Sequence, residues 1–409
     1  MGREMERELR PVHLVMVTAE NNNKYYDMTP KGDVIEIKYG RIDSTCTTIT
    51  KPIREWDSIY RSKVKKGYVD KSELIADVVA DVKQKDHEYL PINDKAIAEI
   101  VERLQAYAKK VIAANYKVQA NQVTQAMIDE AQVLIESLLK VDSVKEFNDL
   151  LLQLYAVIPR RMGNVRDHLV SDNENFNNII AKEQSLLDTL RGQVVIVSKE
   201  ADIDENEYEH NYTILEAFGI EIAPVTDADI KRIKKELGED ESRYKNAWRI
   251  VNKKQEERFQ KFVADHGMAD NDIKLLWHGT RNENVWNILK TGLVLRPTNA
   301  VITGKMFGYG IYFAPRARKS IGYTSVQGSY WTRGTANSGF MILHECAYGT
   351  PYDVYSFDPK YYNFDWNRLQ STCPGATCLH AHAGTMLRND EIIVYKEEQL
   401  TARYLVEIA

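Results

Sequence analysis

The sequence predicts a multidomain α+β protein, with a small β-rich segment, then an all-α helical bundle, then a mainly antiparallel α+β domain. Three observations carry this reading. Apolar residues alternate with a period of two across residues 8–84, take up a helical period across 87–205, and return from 206 to 409 as short strand-like runs separated by turns and short helices. Each run is short enough for a globular fold, and none is long and apolar enough to span a membrane.

In the first segment Val12, Leu14 and Val17 mark one strand and Val34, Ile35 and Ile37 another, with N-N-N-K and T-P-K-G as the turns between. An amphipathic stretch follows from Trp56 to Val64. Between Lys38 and Lys66 eight basic residues face three acidic ones, a local net of +5, interleaved with Tyr39, Trp56 and Tyr60. Basic side chains among aromatic ones suit phosphate contact plus stacking on an exposed base or sugar, and a plain solvated face accounts for the same charges.

The second segment shows Ile97, Ile100, Val101, Leu104, Val111 and Ile112 on one helical face and Met127, Ile128, Ala131, Leu134, Ile135 and Leu138 on another. Ser143 with Glu146 reads as a capping box ahead of Phe147, Leu150, Leu151, Leu154 and Tyr155, and Pro159 ends that helix. Ser171 to Asn178 reads as a loop, and a further helix begins at Glu183. These stripes are core, with no chemistry of their own.

The third segment holds the candidate site. Leu275, Leu276 and Trp277 form a strand-like run ending at His278 and Gly279, and Ile311 to Phe313 form another after Gly304, Gly308 and Gly310. These glycines let backbone approach a bound molecule. They are neither a P-loop, which would end in Gly-Lys-Ser/Thr, nor a dinucleotide fingerprint, which would open a helix. Phe340 to Glu345 and Glu391 to Tyr395 are further apolar strands, Glu256 to His266 reads as a helix, and Trp286, Ile288 and Leu289 sit on a short one. A lone histidine such as His278 is as readily a core residue as a ligand contact.

Composition narrows the classes. With 409 residues, 44% hydrophobic and 28% charged, the chain suits a globular protein of two or three domains. The opening M-G-R-E-M-E-R-E-L-R lacks the apolar centre of a signal peptide, and the four cysteines are too scattered for a disulfide framework. An intracellular, soluble protein with reduced thiols is expected. A net charge of −5 argues against a uniformly basic nucleic-acid binder but leaves room for a local basic face.

Taken together, H-G-T-R at His278–Arg281, M-F-G-Y-G-I-Y-F-A at Met306–Ala314, K-S-I-G-Y at Lys319–Tyr323 and N-D-E-I-I-V-Y at Asn389–Tyr395 resemble the catalytic domain of the DNA-dependent poly(ADP-ribose) polymerases. Tyr39-Gly40-Arg41 stands where the family's WGR domain has Trp-Gly-Arg. L-Q-L-Y-A-V-I-P-R at Leu152–Arg160 resembles the helical regulatory domain that precedes the catalytic one. The resemblance implies a WGR-like DNA-binding domain at 8–84, an autoinhibitory helical domain at 87–205 and an ADP-ribosyltransferase domain at 206–409.

It further implies that Glu391, His278 and Tyr312 are catalytic. NAD+ would be held by His278, Gly279, Thr280, Asn284, Arg296, Tyr312, Lys319, Ser320 and Tyr323, and DNA would be met by Tyr39, Arg41, Lys63 and Lys65. Lys305 stands where many members carry tyrosine. NAD+ is then a consumed substrate, with no other cofactor and no metal expected. The partners implied are DNA with strand breaks or ends, protein acceptors and the chain itself, and no membrane. A monomer is expected, at the nucleus or nucleoid, or in the cytoplasm if bacterial. Cleaving the nicotinamide–ribose bond builds positive charge on the anomeric carbon, which is why a carboxylate beside an apolar strand is the residue type required.

Two rival readings share these motifs: a mono-ADP-ribosyltransferase, and a DNA-binding reader of NAD or ADP-ribose without turnover. Cys373, Cys378, His380 and His382 are zinc-ligand types, but their C-x₄-C-x-H-x-H spacing is expected to be a loop packing its sulfurs and imidazoles.

Overall fold

The computed structural model describes residues 9–42, 44–74, 89–116, 123–201, 212–295, 306–326, 328–329, 332–333, 336–384 and 387–409. Arg296, Gly304 and Lys305 lie outside them. The chain forms two compact units: Met1–Lys85 with Val111–Glu200, and Asp86–Lys110 with Ala201–Ala409. Compactness therefore divides the chain differently from the change in hydrophobic period.

In the first unit the period-two runs become strands β1 (Val12–Thr18), β2 (Asn22–Lys31), β3 (Val34–Arg41), β4 (Thr47–Pro52) and β5 (Val69–Asp70), in the order β4-β3-β2-β1-β5. Leu14, Tyr26, Met28, Ile35 and Ile37 cover one face, sealed by Trp56 at the start of helix Trp56–Lys65. The opposite face buries Val15 and Ile42 against Ala156 of helix Val144–Val157. Helices Gln125–Leu138 and Phe176–Ala201 complete the unit. Ser143 caps Val144–Val157 by accepting from the Glu146 N–H at 3.1 Å, and the helix stops ahead of Pro159. The loop expected to reach Asn178 ends earlier, because Phe176 starts the last helix by stacking on Phe147 with ring centres 3.8 Å apart.

Helix Lys95–Asn115 crosses the division between the units. Its apolar residues Ile97, Ile100, Val101 and Leu104 belong to the core of the second unit, among Trp248, Trp286, Phe340 and Leu405.

The second unit is built on two sheets. One has the order β6-β7-β16-β12-β8, with β6 (Ile220–Pro224), β7 (Tyr244–Asn252), β8 (Ile273–Gly279), β12 (Gly339–Ala347) and β16 (Leu400–Ile408). The other has the order β13-β14-β15-β9, with β9 (Ile311–Phe313), β13 (Pro351–Val354), β14 (Cys378–Ala381) and β15 (Glu391–Val394). A short ribbon pairs β10 (Gly328–Ser329) with β11 (Thr332–Arg333). Pairing is antiparallel except between β13 and β14. Both faces of the larger sheet are buried: Phe340 and Ile342 lie in one cluster, and Met341 and Leu343 in another. That is why Phe340–Leu343 of β12 read as an unbroken apolar run where a half-exposed strand would alternate. Among the described residues no helix is long and apolar enough to cross a membrane.

Candidate active site

The site forms where the two sheets meet. The Trp277 and Ala314 backbones exchange hydrogen bonds of 3.0 and 3.1 Å, which joins β8 to the residue after β9. This junction places the end of β8, where His278 and Gly279 stand, beside Tyr312. His278 Nδ1 lies 3.4 Å from the Tyr312 carbonyl oxygen, and its ring meets Phe313 edge-on.

Gly279 is required before any ligand is considered. A Cβ there would lie 1.9 Å from the Ser320 carbonyl oxygen. Ser320 is buried and its hydroxyl donates to the Trp277 carbonyl at 3.1 Å, so helix Ala317–Ile321 is pinned across the end of β8. Gly308 has φ +77°, and a Cβ on it would meet the Phe364 backbone at 2.1 Å. At Gly310 a Cβ would meet Ile393 Cγ2 at the same distance. The sequence suggests that these glycines admit a bound molecule; what they are seen to admit is the protein's own chain.

Tyr312 is fixed at both ends. It occupies the register position opposite Ile393, and its hydroxyl accepts from the Phe307 N–H at 2.9 Å and donates to the Gly308 carbonyl at 3.2 Å. Burial pushes that hydroxyl well above the ordinary tyrosine value, and the nearby Glu391 charge adds to the shift. Tyr323 is 47% exposed, its N–H bonded to the Ser320 carbonyl at 3.0 Å. Burial of its hydroxyl raises it too, with Glu391 again contributing.

Glu391 opens β15 and is 9% exposed. Its Oε1 accepts from Lys319 Nζ, while Oε2 is buried with no hydrogen-bond partner among the described residues. A buried carboxylate oxygen without a donor is costly and is a common mark of a ligand position. Sequence reasoning names Lys319 and Glu391 separately; their pairing across 72 positions is a tertiary fact with no local signal.

Thr280 and Arg281 follow at the start of helix Asn282–Thr291, where Asn284 Nδ2 reaches Thr280 Oγ1 at 3.4 Å. Asn282, not singled out in the sequence, is buried and anchors this turn: its N–H donates to Ser325 Oγ at 2.9 Å and its side-chain amide to the Ser338 carbonyl at 3.1 Å. His344 is also missed by the motifs. It is 0% exposed, with its ring 6.2 Å from that of His278 and 5.4 Å from that of Phe313. Both of its ring nitrogens lack a hydrogen-bond partner among the described residues, and burial depresses its pKa to about 3.

The other candidates lie in the first unit. Arg41 donates to the Asn21 carbonyl and side chain at 2.7 and 2.9 Å and to the Gly163 carbonyl at 3.0 Å. Lys63 Nζ lies 3.7 Å from the Tyr26 ring centre, 5.5 Å from that of Tyr68 and 5.8 Å from that of Tyr39. Burial among these rings lowers the Lys63 pKa, and the charges of Lys66 and Lys24 lower it further. Lys65 is exposed. The cysteines near the histidine pair do not join it: Cys378 is buried and donates to the Tyr348 carbonyl at 3.3 Å, and Cys373 packs in a separate apolar cluster.

Residues 228–409 match the family model described as the poly(ADP-ribose) polymerase catalytic domain. Uncharacterized protein 101L of Invertebrate iridescent virus 6 is 35% identical over 234 residues, 56% of this chain and 95% of that protein. Putative poly [ADP-ribose] polymerase-like 100L of the same virus is 33% identical over 162 residues, 38% of this chain and 80% of that protein. Poly [ADP-ribose] polymerase 1 of Gallus gallus is 25% identical over 405 residues, 91% of this chain and 36% of that protein. The strand end at His278, the pinned Tyr312 and the buried Glu391 lie within the matched residues, and the chain belongs to the poly(ADP-ribose) polymerase family.

Proposed function

We propose that this chain is a DNA-break-stimulated NAD+ ADP-ribosyltransferase that modifies protein acceptors, itself included, extends poly(ADP-ribose) and releases nicotinamide. The observation that carries the reading is Glu391, a buried carboxylate with one oxygen held by Lys319 and the other without a donor, beside Tyr312 and Tyr323. Family membership supports the same transferase chemistry.

In this reading His278, Thr280, Asn284 and Arg296 orient the adenosine side of NAD+. The Gly279 backbone holds the carboxamide, with Ser320 beside it, and Tyr312 and Tyr323 enclose the nicotinamide ring. The unpaired Glu391 oxygen accepts from a hydroxyl of the adjoining ribose. As the glycosidic C–N bond breaks, nicotinamide leaves with the bonding pair, and the carboxylate stabilises the oxocarbenium-like carbon. An acceptor hydroxyl then forms the C–O bond and passes its proton to Glu391. Lys319, bonded to the other carboxylate oxygen, holds the Glu391 side chain in position through this sequence.

The DNA part of the proposal rests on the first unit. Tyr39, Lys63 and Lys65 provide the ring and charge for a strand break, and Arg41 ties the sheet to the Gly163 turn. The helical segment serves as the brake that DNA releases. A nuclear or nucleoid location follows from such a partner.

The test is nicotinamide release from NAD+ by the full chain, with and without nicked DNA, in wild type and Glu391→Gln. Wild type should respond to DNA, and the variant should keep NAD+ binding while losing roughly 10²-fold or more of turnover. Wild-type turnover in the variant would remove Glu391 from the mechanism. Absence of turnover in wild type would favour a non-catalytic reader, and an automodified product one unit heavier would favour mono-transfer.

A further inference from the structure

His380 and His382 occupy the same face of the β14 strand and its continuation, the face of Cys378, opposite that of Leu379 and Ala381. Their rings stack with centres 4.0 Å apart and planes 21° from parallel. Asp353, on the parallel neighbour β13, is the register partner of His380. Asp390 closes the other side, just before β15.

The four side chains are arranged so that each imidazole meets both carboxylates. Asp353 Oδ1 lies 2.7 Å from His382 Nε2 and 3.9 Å from His380 Nδ1. Asp390 Oδ2 lies 3.1 Å from His380 Nε2 and 3.9 Å from His382 Nδ1. One ligand atom from each of Asp353, His380 and His382 falls within 4.8 Å of the others. Among the described residues, the ion pairs of both carboxylates are with these imidazoles only. Two carboxylates and two imidazoles converging this closely, with one donor atom from each of three of them within 4.8 Å of the others, form a cage whose chemistry suits a cation.

We propose that Asp353, His380 and His382 bind a divalent transition metal of the zinc type. The Asp353 carboxylate, His380 Nδ1 and His382 Nε2 are the ligands, and Asp390 is the carboxylate that orients both imidazoles from behind. Two nitrogens and one oxygen converging from two strands suit a tetrahedral ion whose fourth position is filled by water. The Tyr348 hydroxyl, which meets His380 Nδ1 at 2.8 Å, gives up that contact and borders the open position. Asp390 in its present place already does what an outer carboxylate does for a metal-bound histidine: it fixes tautomer and ring orientation. The site is separate from the transferase centre, since Glu391 is the register partner of Ala381, which faces the side of β14 opposite His380.

The test is titration of the metal-free full-length protein with Zn²⁺ alone, followed by metal analysis after dialysis, and with Co²⁺ as a spectroscopic probe. Wild type should retain a single zinc per chain, and its cobalt form should show the intense visible bands of a tetrahedral ion. Asp353→Asn and His382→Gln alter side chains at the solvent edge of the cluster, and each should weaken zinc binding at least tenfold without altering circular dichroism. Asp390→Asn should weaken it roughly 10–100-fold as an orienting group. Failure of wild type to retain zinc, an octahedral cobalt spectrum, or Asp353→Asn and His382→Gln variants that bind as wild type does would each overturn the proposal. None of these readouts depends on transferase activity.

Discussion

His344 shows how much a single buried side chain sets the behaviour around it. It is fully enclosed beside His278 and Phe313, and burial lowers its pKa to about 3, whereas an unfolded histidine titrates near about 6.5. Below pH 6.5 the unfolded chain therefore takes up a proton that the folded chain refuses. The stability due to neutral His344 is complete above that value and is lost progressively as pH falls toward 3. Between pH 6.5 and 5 this single group should remove about 2 kcal/mol. Urea unfolding at both pH values should show a smaller acid loss in His344→Phe than in wild type; equal losses would place the acid sensitivity elsewhere. The motif residues around it were legible in the sequence because their chemistry is local: a histidine at a strand end, a glutamate opening an apolar strand. His344 was not, because a histidine after an apolar run gives no local sign that the sheet buries it on both sides. The partnership of Lys319 with Glu391 was hidden for a related reason, being created by strand register.

Among the elements, helix Lys95–Asn115 departs furthest from its sequence reading. Its 3.6-residue stripe identifies a helix correctly but does not say which core receives it. Ile97, Ile100, Val101 and Leu104 are buried with Trp248, Trp286 and Phe340, and Arg103 donates to Ser338 at 3.0 Å and pairs with Glu407. Removing residues 87–205 would therefore strip part of the second unit's own core, so the proposed brake is better tested by a point change than by deletion. Leu104→Ala should destabilise the unit by about 2–5 kcal/mol, read by chemical denaturation. Arg103→Gln, which loosens the helix with little loss of apolar contact, should raise turnover without DNA severalfold. Unchanged DNA-free turnover in a folded Arg103→Gln protein would make this helix structural only. In the smaller sheet β9 and β15 were readable as short apolar runs, whereas Cys378–Ala381, expected as a loop, is strand β14, because its pairing with β13 and β15 is a tertiary fact with no local signal.

For the molecule as a whole, the proposed response to DNA is a property that no single element would contain. Arg41 bonds the Asn21 turn and the Gly163 carbonyl, so one guanidinium holds β3 to two loops far apart in sequence. Arg41→Ala should abolish most stimulation by nicked DNA while leaving DNA-free turnover at its wild-type level, measured as nicotinamide release. Full stimulation in that variant would free the Tyr-Gly-Arg segment of any role in signalling. The succession of strands, then helices, then both together along the chain was legible from periodicity. The exchange of residues 86–110 into the second unit was not, because periodicity identifies faces and is silent about partners.

The pairing of β9 with β15 has a consequence for how this chain can change. Three matched pairs, Phe313 with Ile392, Tyr312 with Ile393 and Ile311 with Val394, hold two motifs in step across a long intervening sequence. Slipping either strand by one residue would turn Tyr312 or Glu391 to the other side of the sheet. Insertions and deletions between the strands leave that alignment intact, while a single-residue insertion inside either one destroys it. The lengths of the connecting loops are thus free to drift over generations, and the two short strands can accept only replacement, never a change of length.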